Sequence, residues 1–289
     1  MIGARDRRDM TLTPLRRIHS LPLRRSIARV TGLASKARMT RLVAAEVLLG
    51  EQHQPAAATA VPVRVTELGG KVVWLRPRSR DRAALEFLHL GHHLPPAGLT
   101  APVRHAVVFG ANIGLLVADL AGRYPQARVL GVEADHENAV LARRNLAHFA
   151  GRCILEEAAV WHRDETLSLA WAPDAWGQEV TGPATPHESG RRAGTRHIDA
   201  VDAGNLLAAF TRSVPVDYLL VNIESAWHEM LRHGQWTRNV RCIKVEIQDH
   251  FDEAVPMLET LGYKAWLEPL SWGAFATGIR PADPGTGQA

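Results

Sequence analysis

One turn constrains this chain more than any other feature. The apolar run Val107-Val108-Phe109 enters Gly110-Ala111-Asn112-Ile113-Gly114, and Leu115-Leu116-Val117-Ala118-Asp119-Leu120 continues it with helical character. Glycines in such a loop let the backbone approach a ligand closely, and the helix exposes its first amides there. The next apolar run, Ala127 to Val132, ends at Glu133. An acid about 20 residues beyond a nucleotide-binding turn sits where a carboxylate can accept both hydroxyls of a ribose.

The spacing of the glycines separates two kinds of nucleotide. A pyrophosphate asks for G-x-G-x-x-G, whereas this loop is G-x-x-x-G with Asn112 inside it, so a phosphate is not the expected cargo. S-adenosylmethionine fits better: it offers adenosine hydroxyls to Glu133 and a methionine carboxylate to the loop amides, and it carries no phosphate.

From residue 103 onward the pattern alternates strand and helix, which predicts a parallel sheet with crossover helices. Strands are expected at 105–109, 128–132, 153–157, 217–223 and 241–247, with helices at 113–122, 136–149, 203–212, 225–233 and 252–261. The last two apolar runs, Tyr263 to Leu267 and Phe275 to Ile279, are joined by a short Pro/Ser/Gly-containing connection and predict an antiparallel hairpin at the sheet edge. Five parallel strands closed by such a hairpin make the Rossmann-like α/β fold of class I methyltransferases, a seven-stranded, mostly parallel sheet.

At 289 residues the chain can bury a sizeable core, and four segments are expected: a basic arm and helix over 1–60, a hairpin-and-helix cap over 61–102, the cofactor-binding domain over 103–280, and a disordered tail over 281–289. Residues 1–41 hold eleven Lys or Arg against Asp6 and Asp9, a balance of +9; the whole chain is +4, which leaves the remainder at −5. The basic arm lacks interleaved aromatics for base stacking, and the acidic body shows no basic groove, so no nucleic-acid partner is expected. It also lacks an apolar run long enough for a signal peptide or a membrane span. Leu33 to Leu49 has roughly helical apolar spacing, and Gly69-Gly70 between two apolar runs marks the cap hairpin. Thr181 to Thr195, rich in Gly, Pro, Ser and Thr, reads as a lid over the strand ends. Cys153 and Cys242 are not ligand-spaced and read as core residues of a cytoplasmic protein.

Several blocks in order carry a family resemblance: Ser79-Arg80-Asp81; the loop from Phe109 to Gly114; Gly131-Val132-Glu133-Ala134-Asp135-His136-Glu137-Asn138 with Arg144-Asn145-Leu146; Glu157-Ala158-Ala159-Val160; Val216 to Glu224; and Ile243-Lys244-Val245-Glu246-Ile247. From about Val61 to Arg280 the chain resembles the FkbM-type S-adenosylmethionine-dependent methyltransferases. The resemblance implies an O-methyltransferase acting on a hydroxyl of a small molecule, a natural product or saccharide. It also implies cofactor contacts from Phe109, Gly110, Ala111, Asn112 and Gly114 at the methionine end, from Glu133 at the ribose, from Ala134, Glu157 and Ala158 around the adenine, and from Asn222 with Glu224 near the sulfonium.

Two positions depart from the family pattern. It places Asp where this chain has Phe109, and it reads Asp-x-Glu-Gly where this chain has Asn222-Ile223-Glu224-Ser225. Losing a charge-assisted hydrogen bond of roughly 1.5–3 kcal/mol weakens binding about tenfold to a hundredfold unless something compensates. The ring of Phe109 facing a cation is one such compensation. A second reading, a catalytically silent binding protein of the same fold, therefore stands beside the enzyme.

Methyl transfer to oxygen needs alignment and a base for the hydroxyl proton. Candidate bases near the strand ends are Glu224, His228, Glu246, Asp249 and His250, with Glu224, His228 and His250 foremost, since His228 follows Glu224 by four residues on one helical face. His92-His93 lacks a third ligand at metal spacing, so no metal site is expected. Trp171 and Trp176 are candidate walls of an apolar substrate pocket.

Overall fold

The computed structural model describes residues 23–51, 56–171, 178–183, 195–224 and 226–281. Helices α1 (Leu23–Ala28) and α2 (Leu33–Leu49) precede the hairpin β1 (Val61–Val65) and β2 (Lys71–Leu75), and α3 (Asp81–Leu90) follows it. The main unit then runs β3 (His105–Phe109), α4 (Leu115–Arg123), β4 (Arg128–Glu133), α5 (His136–Asn145) and β5 (Cys153–Glu157). Four further strands come next: β6 (Ala159–Trp161), β7 (Glu165–Trp171), β8 (Gln178–Pro183) and β9 (Thr195–Asp202). The chain returns through α6 (Ala203–Thr211), β10 (Tyr218–Val221), α7 (Ala226–Arg232), β11 (Cys242–Ile247) and α8 (Phe251–Thr260), and it closes with β12 (Lys264–Pro269) and β13 (Ala274–Ile279).

The central sheet has seven strands in the order β12-β13-β11-β10-β3-β4-β5. The pairs from β11 to β5 are parallel, and β13 lies antiparallel between β11 and β12. The expected terminal hairpin is thus present, with β12 as the edge. Strands β10 and β11 are buried at every position, as is β3 after its first residue, which is why β10 and most of β3 read as unbroken apolar runs, while β11 carries the buried Lys244 and Glu246 among its apolar residues; β5 at the opposite edge alternates and is largely exposed.

Alternation along the strands sends their side chains into two cores. Ala106 and Val108 face α4 and the N-terminal elements, while Val107, Phe109, Leu219 and Val221 face residues of α6, α7 and α8. Met39 of α2, Val63 and Val73 of the hairpin and Leu85 of α3 belong to the first core, so these elements and the central sheet bury one continuous apolar interior. Charge reinforces that packing: Arg82 forks onto Glu46 at 2.8 and 2.5 Å. The one lysine inside β11, Lys244, is buried yet satisfied by the carbonyls of His92 and Leu94 and by Glu268 Oε2 at 2.9, 3.1 and 2.9 Å.

Two features differ from the sequence reading. Leu23–Ala28, expected as part of the basic arm before the Leu33–Leu49 helix, is itself a helix, and Val30, two residues beyond it, bridges Val65. Thr181 to Thr195, expected as a lid, contributes its ends to a four-stranded sheet of order β6-β9-β7-β8, in which Pro183 pairs with Leu167 and Thr195 with Ala170; residues 184–194 lie outside the described set. β8 pairs only with β7 and lacks an apolar period, so backbone hydrogen bonds define it and no side-chain pattern announces it. The expected tail, residues 281–289, is outside the described set from residue 282. No helix among the described residues is long and apolar enough to cross a membrane.

Candidate active site

Strand order reverses between β3 and β10, and in an open parallel sheet the crevice beyond the carboxyl ends at that point is where ligands bind. A cavity of about 1100 Å³, its open mouth included, occupies this place. The loop after β3 gives it Gly110, Ala111 and Asn112; the end of β4 gives Glu133 and Ala134; Ala158 follows β5; Asn222 and Glu224 follow β10; and Glu246 comes from β11. All nine are positions expected from sequence to hold the cofactor or to serve the acceptor as a base.

The two glycines of the loop serve packing first. A Cβ on Gly110, whose φ is +78°, would lie 1.8 Å from the Asn222 carbonyl oxygen, so glycine there lets the chain ends of β3 and β10 touch. The Asn222 amide donates to the Phe109 carbonyl at 2.9 Å and closes the same contact. Gly114, φ +82°, lies so close to α5 that a Cβ would sit 3.1 Å from Ala142 Cα and Cβ; it does not line the cavity.

Glu133 is 8% exposed and takes three hydrogen bonds: its Oε2 accepts from the Asn112 amide at 2.7 Å, and its Oε1 accepts from the Asp135 amide at 2.9 Å and Asn138 Nδ2 at 3.4 Å. Burial pushes its carboxyl upward, and the Asp135 and Asn112 amides pull it back. A carboxylate has about four acceptor positions, so capacity remains for a hydroxyl. Asn138 is itself held by Arg76, whose Nη2 donates to Asn138 Oδ1 at 2.7 Å while Arg76 clasps Asp81. This chain of contacts runs from the Ser79-Arg80-Asp81 block to Glu133, and sequence reading had given none of its members but Glu133 a role.

At the other end of the cavity stand two acids. Glu246, 8% exposed, has its carboxyl pushed up to about 8, first by burial and then by the negative charge of Glu224, against a partly offsetting hydrogen bond from Trp272. Glu224 occupies the left-handed region at φ 49°. Asn112, Glu224 and His250, at φ 49°, 49° and 48°, are three of the six non-glycine residues with positive φ among the described residues, and each stands in the loop after one of β3, β10 and β11. Such strain gathers at functional sites.

Six expected site residues do not line the cavity, Asp249 among them. The Phe109 ring shares the parity of Val107, so it points into the core beneath, 5.9 Å from the Trp236 ring and 0% exposed, and it presents no face to a bound cation. Phe109→Asp is accordingly expected to cost about 3–5 kcal/mol of stability without strengthening cofactor binding; a melting temperature equal to that of the natural chain would contradict this placement. Gly114 packs against α5. Glu157 is exposed and bound by His136 Nδ1 and Arg143 Nη1, both at 2.7 Å. His228 and His250 both meet Glu253, at 2.8 and 3.0 Å. The carboxylate at His228 Nε2 is thus Glu253 rather than Glu224, because α7 starts at Ala226 and Glu224 precedes the helix.

Other residues reach the cavity unannounced. Ala84 and Phe87 of α3 form part of its wall, and Phe87 packs 6.1 Å from Trp272. The helix was legible, but nothing in its period says which turn faces a cleft. Of the expected tryptophan walls, Trp171 ends β7 and Trp176 lies outside the described residues. His93 is buried with its Nε2 2.9 Å from Asp119 Oδ2, a structural contact. Cys153 and Cys242 are free, and burial raises their thiols to about 11 and about 12.

Counted from the first strand of the central sheet, the order is 3-2-1-4-5-7-6 with strand 7 reversed. The fold is that of the class I methyltransferases. No protein-family model matches the chain, and no curated protein matches it. Solved structures that it resembles include a precorrin-6y C5,15-methyltransferase from Geobacter metallireducens, at 14% identity and TM-score 0.37, with 63% of this chain and 84% of that chain covered. An O-methyltransferase family protein from Burkholderia thailandensis matches at 12% identity and TM-score 0.43, over 70% of this chain and 57% of the other. The pyocyanin biosynthetic protein PhzM matches at 12% identity and TM-score 0.39, over 70% and 58%. The strand order, rather than these likenesses, assigns the methyltransferase fold.

Proposed function

We propose that this methyltransferase fold binds S-adenosylmethionine and methylates a hydroxyl of a small molecule, in the manner of the FkbM-type enzymes that its sequence blocks resemble. The observation that carries the reading is the polarity of the cavity: one buried acid with hydroxyl-accepting capacity at the β4 end, small apolar walls between, and an acidic pair at the β10–β11 end.

The residues present suit that cofactor. Glu133 accepts a ribose hydroxyl, Ala134 and Ala158 leave room for a flat adenine, and the Gly110–Asn112 backbone borders the methionine end. Glu224 and Glu246 face the sulfonium, where they replace the acid that Asn222 lacks. When bound, the cofactor supplies an electrophilic methyl group. Glu246 takes the proton that the acceptor hydroxyl must lose, and its raised carboxyl range makes it the better base of the pair. A positive charge held nearby favours its ionised form. Ala84 and Phe87 wall the cavity from the α3 side and help exclude water.

Calorimetric titration with S-adenosylmethionine and S-adenosylhomocysteine tests the cofactor. Glu133→Ala is expected to weaken both at least about tenfold, through loss of a hydrogen bond to a charged acceptor. Unchanged affinity in that variant would remove Glu133 from the site, and no binding to the natural chain at millimolar cofactor would leave a methyltransferase fold put to another use.

A further inference from the structure

The sharpest feature outside the cavity lies where α7 meets α8. His228 of α7, His250 at the start of α8 and Glu253 one turn on bring Nε2, Nδ1 and a carboxylate oxygen within 4.8 Å of one another. Glu253 Oε2 stands 2.8 Å from His228 Nε2, and its Oε1 stands 3.0 Å from His250 Nδ1. The two imidazoles stack at 4.5 Å with 22° between their planes, and each turns one nitrogen to the same Glu253 carboxylate.

The energetics of the bare cluster are lopsided. Exposed ion pairs contribute roughly 0–1 kcal/mol, and the side chains of His250 and Glu253 are 48% and 47% exposed. Yet His250 is held at φ 48°, a conformation that costs a residue with a Cβ about 1 kcal/mol or more. Two surface contacts scarcely offset that strain, whereas a coordinate bond does. In a tetrahedral site with bonds of about 2.0–2.1 Å the donor atoms stand about 3.3 Å apart, a spacing inside the 4.8 Å within which these three atoms already lie.

We infer that His228, His250 and Glu253 form a site for a transition-metal dication, zinc foremost, that ties α7 to α8 and leaves a coordination position open to solvent. The sequence reading expected no metal, because the three ligands come from two helices with 21 residues between His228 and His250. The site would hold together the two helices that follow Glu224 and Glu246 in the chain, and it stands independently of the cofactor reading, since the metal alone is the probe.

The test uses the full, untagged chain after treatment with a chelator. Zinc chloride is expected to bind one per chain with a roughly micromolar dissociation constant and to raise the melting temperature by about 5 °C. Cobalt(II) should give the intense visible bands of a four- or five-coordinate ion. His228→Gln and Glu253→Gln should each weaken uptake roughly tenfold to a hundredfold. His250→Asn should do the same while folding normally in chelator, since Asn tolerates a positive φ better than most residues. Absence of zinc uptake by the natural chain, uptake unchanged in the His228→Gln/His250→Asn double variant, or only octahedral cobalt spectra would each overturn the inference.

Discussion

Glu246→Gln is expected to abolish most of the methyl transfer, about a hundredfold to ten-thousandfold, and at the same time to stabilise the protein at alkaline pH. The two effects share one cause. The folded carboxyl is pushed up to about 8 by burial and by Glu224, above the ordinary carboxylate value of 4.5. The native chain therefore binds more protons than the unfolded chain between those values. Its stability is complete below the unfolded pKa and falls as pH rises through the folded one. At about 1.4 kcal/mol per unit of pKa the loss amounts to a few kcal/mol by pH 9, and glutamine, which cannot ionise, does not suffer it. Thermal unfolding from pH 5 to pH 9 should show the variant and the natural chain diverging as pH rises. A constant difference would mean that Glu246 is not a perturbed acid; divergence with full activity would mean that it is one and is not the base. Because Glu224 contributes to the shift, the apparent pKa seen in rate profiles belongs to the pair.

Gly110→Ala should be the most damaging small substitution in the chain, costing at least about 4 kcal/mol. The new Cβ would fall 1.8 Å from the Asn222 carbonyl oxygen, which is backbone anchored by the hydrogen bond to Phe109, and alanine would also have to hold φ +78°. Gly151→Ala separates the two causes. Gly151 has φ +86° with nothing within 4 Å of a Cβ, so alanine there meets conformational strain alone, about 1–2 kcal/mol. Denaturant unfolding of both variants makes the comparison. Similar losses at the two positions would show that the β3 and β10 loops can separate, and the cavity they frame would then be softer than its packing implies.

The particular elements explain how far the chain could be read. The strands of the central sheet are buried on both faces or, at the edges, on one, and burial leaves a mark in composition: His105 to Phe109 and Tyr218 to Val221 are nearly continuous apolar runs. The fold class, the position of the turn after β3 and the acid at the end of β4 follow from such marks, because each is a local pattern whose physical cause lies within a few residues. The sheet β6-β9-β7-β8 left no such mark, since its β8 edge is specified by backbone pairing across Leu167–Trp171.

Roles depended on directions that only the assembled structure decides. Phe109 and Gly110 are neighbours in the loop, yet strand parity sends the Phe109 ring into the core while Gly110 borders the cavity and admits the Asn222 carbonyl. Glu224 and Glu246 lie 22 positions apart, one in the loop after β10 and one near the end of β11, and only parallel pairing of β10 with β11 brings their charges together. His228, His250 and Glu253 meet because α7 and α8 pack side by side. Local sequence carried the alternation of strand and helix, the tight turn and the acid at a strand end, all consequences of short-range sterics and burial. The acidic pair, the histidine–glutamate cluster and the burial of Phe109 arise from which surfaces face each other after folding, which no single segment encodes.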